Sequence, residues 1–164
     1  MRETEEVTAP IIASVPYQLR PVASLVEGCI VQTAKEGLVR LGQQGGYIEP
    51  KYHSNQFEPT EGESATFTSS PEQPFIPYWW FLKSDNDCIG KCEFTTLKPN
   101  LYSREGEPSI ERQLKRFVEE HLKECVGNFE KLTGFEVSEQ RKPEVELRIG
   151  KDKIYFILNY PLSV

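Results

Sequence analysis

At 164 residues, 38% of them hydrophobic, the chain is long enough to bury a core as one domain, and neither a metal nor a cofactor is needed to explain its folding. Against 25 acidic side chains stand 19 basic ones, a net charge of −6 that argues against a polyanionic partner, since nucleic-acid binders present a basic face to phosphates. No apolar run reaches the roughly 18 residues of a membrane span, and the acidic Met1–Val7 lead, followed by the short proline-broken run around Ile11–Val15, is unlike a secretory signal peptide.

Residues 1–20 carry Pro10 and Pro16 and no sustained periodicity, which reads as an extended lead-in; residues 21–164 read as a single domain. From Pro21, suited to a helix's first turn, apolar or small residues recur at Val22, Leu25, Val26, Cys29, Ile30, Thr33, Gly37, Leu38 and Leu41. Steps of three and four predict an amphipathic helix, with Gly42 placed for a left-handed cap. Gln43-Gln44-Gly45-Gly46-Tyr47-Ile48 then reads as a glycine turn feeding a short strand. The polar stretch Glu49–Pro74 reads as a long surface loop ending in Pro74–Leu82, the most apolar and aromatic window, and Lys83–Gly106 as a second loop.

A second helix is predicted from Ser109, a capping residue after Pro108, with Glu111 in the first turn and a stripe of Ile110, Leu114, Phe117, Val118, His121, Leu122, Cys125, Val126 and Phe129. Gly127 or Gly134 ends it. Thereafter the period becomes two: Phe135–Ser138, Val145–Ile149 and Lys153–Tyr160, with Gly150-Lys151-Asp152 as a hairpin connection. The expected fold class is α+β, two amphipathic helices packed on an antiparallel sheet with a C-terminal three-strand meander. Ile154–Tyr160 is apolar on both faces of its alternation, which predicts a strand central in that sheet and a monomeric domain. Placed at an edge instead, the same strand would template strand addition from a neighbour.

Four cysteines carry most of the chemical information. Cys29 and Cys125 fall on the inward stripes of the two helices, so packing the helices together can bring them within bridging distance. A disulfide there would close a loop of nearly one hundred residues and add about 2–4 kcal/mol; two reduced core cysteines are the plainer alternative. Cys88 and Cys92 share a loop with Gly90, where a local disulfide competes with free thiols and with half of a zinc site. The only histidines, His53 and His121, belong to no second ligand pair, so no metal site is assigned. A nucleophilic His121–Cys125 pair lacks an orienting third group, and no catalytic residues are assigned. In Tyr78-Trp79-Trp80-Phe81, alternation would send Tyr78 and Trp80 to one side and Trp79 and Phe81 to the other. One side joining the core competes with an exposed pair that stacks on a sugar or anchors a protein, with Tyr47 alongside.

The motif order Val26-Glu27-Gly28-Cys29 through Lys35-Glu36-Gly37-Leu38, Leu41-Gly42-Gln43-Gln44-Gly45-Gly46-Tyr47-Ile48 and Ile76-Pro77-Tyr78-Trp79, then Pro108-Ser109-Ile110-Glu111 through Leu122-Lys123-Glu124-Cys125 and terminal Asn159-Tyr160-Pro161-Leu162-Ser163-Val164, resembles a family of single-anchor extracytoplasmic hypothetical proteins from small-genome (DPANN-type) archaea. The resemblance spans about residues 20–164. It implies an extracytoplasmic domain and supports a Cys29–Cys125 bridge, but implies no activity. Cys88 and Cys92 look like an addition to the shared pattern, and the family's N-terminal anchor is absent from this chain. The expected role is a cell-surface interaction or structural module with a protein or glycan partner, no nucleic acid and no cofactor, meeting a membrane only through that missing anchor. Read as complete, the chain would instead be cytoplasmic. A glycan- or peptide-binding domain using the Tyr78–Phe81 window is the closest rival, and an envelope hydrolase the third.

Overall fold

A computed structural model describes residues 15–48, 64–66, 75–77, 79, 98–102, 109–130 and 132–164. The first helix, α1, runs Arg20–Gln43 behind a short 3-10 turn at Tyr17–Leu19, with Pro21 in its first turn where no amide partner is required. Its buried side is Val22, Cys29, Ile30, Thr33, Ala34, Gly37 and Leu41: the expected stripe with Ala34 added, while Leu25, Val26 and Leu38 are only half-buried. Thr33 is accommodated there because its hydroxyl donates back to the Cys29 carbonyl at 2.9 Å. Gly42 does not end the helix. Chain reversal is carried by Gly45 and Gly46, at φ +58° and +90°, and Gly46 N donates to Leu41 O at 2.8 Å. Tyr47 and Ile48, expected to begin a strand, instead sit in an irregular turn and are buried.

The second helix, α2, spans Ile110–Val126, and all four of its first amides find acceptors. Ile110 N and Glu111 N donate to Asn100 O and Leu101 O, Arg112 N to Ser109 Oγ, and Gln113 N to Ser109 O. The predicted Ser109 cap is therefore real, and the segment 98–102 shares its work. Gly127, at φ +58°, terminates the helix, and Asn128 and Phe129 continue the left-handed course into a 3-10 turn.

The two helices cross in close contact at two places. Gly37 lies against Leu114 and Phe117, so near that a β-carbon on it would stand 2.7 Å from Leu114 Cδ1. Eight residues earlier on α1, Cys29 is bonded to Cys125, with Cα atoms 5.6 Å apart. Contact order is reversed between the helices, so they run antiparallel.

β1 (Ser64–Thr66) pairs antiparallel with β2 (Phe75–Pro77). This corrects the expectation of an unbroken loop over Glu49–Pro74; a three-residue strand is too short to show a period. β3 (Ser138–Glu139), β4 (Glu144–Ile149), β5 (Ile154–Asn159) and β6 (Leu162–Ser163) follow. Their pairing is antiparallel and nested: β4 with β5, and β3 with β6. The α+β class stands, but the strands form a two-stranded ribbon rather than lying three abreast. The ribbon is interrupted by Gln140–Pro143 on one side and Tyr160-Pro161 on the other, where Gln140 N donates to Pro161 O at 3.1 Å. Pro161, whose backbone faces that side, has no amide to give a continuous ladder, which fits the break there.

Val145, Leu147, Phe156 and Leu158 turn one face of the ribbon toward the helices. Val145 joins Cys29, Ile30, Val118, Leu122 and Val126 in one cluster, and Leu147 joins Leu41, Ile48, Leu114 and Phe117 in a second. Phe156 packs against both.

Candidate interaction surface

Register fixes the ribbon's outer face: Glu144 opposite Asn159, Glu146 opposite Ile157, Arg148 opposite Tyr155. All six are exposed, Tyr155 at 55% and Ile157 at 44%, so two large apolar side chains stand in water on an otherwise polar face.

The ribbon's two edges are unlike. Val145 N donates to Glu119 Oε1 at 2.8 Å and Ile149 O accepts from Tyr102 Oη at 3.1 Å, so these β4 groups point away from β5. In an antiparallel ladder such outward-pointing residues alternate with hydrogen-bonded ones. Glu144, Glu146 and Arg148 therefore exchange hydrogen bonds with Asn159, Ile157 and Tyr155, while Ile154, Phe156 and Leu158 direct their amides and carbonyls to the far edge of β5. Helix α2 and the 98–102 segment thus occupy the outer edge of β4. The edge of β5 has no ladder partner among the described residues. The expected central placement of Ile154–Tyr160 is corrected accordingly: its apolar double face reflects one side in the core and one side in water.

Tyr47 is 1% exposed and packs against Trp79, so its ring meets protein rather than a ligand. Trp79 is half-buried and helical, not the strand residue that the expected alternation required. Tyr78, Trp80, Cys88, Cys92 and His53 lie outside the described residues. His121 stacks on Phe117 with ring centroids 4.0 Å apart, and its Nδ1 is 2.9 Å from Phe117 O. Since Cys125 is in the disulfide, it supplies no thiolate to His121, which removes the nucleophile pair considered above.

A polar clamp went unforeseen. Gln113, fully buried, accepts from Ile48 N at 3.1 Å and donates to Gly46 O at 3.0 Å, while Gln44 Nε2 donates to Tyr47 O and Ile48 O. Two amides replace the strand ladder that the 46–48 segment lacks. The available signal was Gln113 standing three residues after Ile110 and four before Phe117, within the buried stripe. Glu119 and Tyr102, which guard the β4 edge, left no comparable mark in the sequence.

At the far end of α2, Lys123 Nζ holds Glu139 Oε2 at 2.6 Å and ties the helix to β3. Burial, then the nearby Glu139 charge, raises the Tyr160 phenol above its ordinary value. An open groove of about 660 Å³ is lined by Asn128, Phe129, Glu130, Phe135, Glu136 and Ser163. No family model, curated protein or solved structure matches the chain. No helix among the described residues is long and apolar enough to cross a membrane.

Proposed function

We propose that the chain is an extracytoplasmic interaction module of the cell surface or envelope, which engages a protein partner through the open edge of β5. The observation that carries this reading is the contrast between the two edges: β4 is closed by Glu119 and Tyr102, while β5 keeps Tyr155 and Ile157 exposed beside backbone that has no ladder partner among the described residues. Natural sheets usually blunt such edges with charge, proline or covering elements, and an edge left apolar is suited to strand addition. The Cys29–Cys125 disulfide supports an oxidising compartment, since thiols in the cytosol are ordinarily kept reduced. The burial of Tyr47 weighs against the rival glycan- or peptide-binding reading.

The test is made on intact source cells carrying the full-length gene product with a tag at its C-terminus. A membrane-impermeant protease is expected to remove the tag before lysis, and a non-reduced digest to yield the Cys29 and Cys125 peptides linked. A tag protected until lysis, with both cysteines alkylated as thiols, would overturn the surface placement.

A further inference from the structure

Building on the open-edge reading, we propose that the edge of β5 pairs antiparallel with β5 of a second copy of this chain, joining two ribbons into a continuous four-stranded sheet about a twofold axis at Phe156. The outward-pointing groups belong to Ile154, Phe156 and Leu158, a set symmetric about Phe156. A twofold axis there sets Ile154 against the partner's Leu158 and Phe156 against the partner's Phe156. Every outward amide and carbonyl of the three residues then finds a mate, as in a ladder's hydrogen-bonded pairs. A register one step along, with Ile157 on the axis, sets Ile154 against the partner's Tyr160, beyond the end of β5.

Side chains favour the same register. On the wet face Tyr155 meets the partner's Ile157, and Ile157 the partner's Tyr155, in the non-hydrogen-bonded positions where side chains approach most closely. Both residues are exposed in the single chain. On the inner face Phe156 extends the core toward its copy. The chain's net charge of −6 works against general self-association, yet Ile154–Asn159 carries no charge, so the strands meet without like-charge contact. Lys153, at one end, faces the partner's Asn159. A second copy is also the partner that brings an open edge of the required length: β5 is six residues long, whereas β1 and β2 have three each and β3 and β6 two. An isologous contact of this kind closes as a dimer.

The experiment uses the whole purified chain, with Cys29–Cys125 oxidised and Cys88 and Cys92 replaced by serine. Sedimentation at rising concentration is expected to show monomer passing to dimer, and Ile157→Lys to weaken the dimer by about tenfold or more, as edge lysines do, with an unchanged melting temperature at concentrations where both chains are monomeric. Tyr155→Cys mixed with Ile157→Cys is expected to form disulfide-linked dimers faster than either variant alone. A monomer at every concentration, or a mixture that cross-links no faster than its components, overturns the pairing. If backbone amides at Phe156 and Leu158 still exchange rapidly in that monomer, the second copy alone is refuted; if they are protected, the open edge falls with it.

Discussion

Gln113 shows how one buried side chain replaces a missing element. Segment 46–48 has neither helix nor strand, yet Tyr47 and Ile48 are buried, so their backbone groups need partners other than water. Gln113 supplies a donor and an acceptor at once, which no apolar residue of its volume can do. Gln113→Leu is expected to lower stability by about 2–4 kcal/mol in urea titration, since it strands the Ile48 amide and the Gly46 carbonyl. Gln113 was not legible as a clamp because its two partners lie more than sixty positions away, at 65 and 67 residues' separation. Tyr160 gives a second prediction. Its folded-state pKa is raised, so the neutral phenol is favoured in the folded chain; stability is full below the unfolded value of about 10 and declines as pH rises beyond it. Tyr160→Phe is expected to remove that component of alkaline loss in melts between about pH 9 and 11.

Between the helices, contact depends on Gly37 having no side chain. A methyl group there would meet Leu114 and Phe117 at 2.7 and 2.9 Å, both in the packed centre. Gly37→Ala is therefore expected to destabilise the fold by about 1–3 kcal/mol on thermal melting, despite alanine's better helix propensity. A neutral or stabilising result would mean that α1 and α2 have room to separate. Helices were the most legible elements because their signals are local: stripes of spaced apolar residues, Pro21 at one start, Ser109 at the other, Gly127 at an end. Strand partnership was not. Ile154–Tyr160 looks doubly buried by composition, but what decides its place is which edge of β4 is already taken, and Glu119 and Tyr102 settle that from distant parts of the chain. Nor does Gly150 serve the hairpin through left-handed freedom, for its φ is not positive; it donates to Lys153 O instead.

For the molecule as a whole, a disulfide across a separation of 96 residues joins the two helices that shelter the ribbon. Its pairing was readable because both cysteines sit on inward stripes. Reduction or Cys125→Ser is expected to cost about 2–5 kcal/mol, most of it through a less constrained unfolded chain, measurable as a lower urea midpoint. The proposed interaction surface was readable only in its composition, because exposure of Tyr155 and Ile157 follows from the tertiary arrangement. The measurement closest to the central claim is amide hydrogen exchange, resolved by residue, on the dilute oxidised chain. Tyr155 and Ile157, bonded to β4, are predicted to exchange slowly, and Phe156 and Leu158, on the open edge, rapidly. Equal protection of all four amides at high dilution would contradict the account, since the edge would then be covered within a single chain.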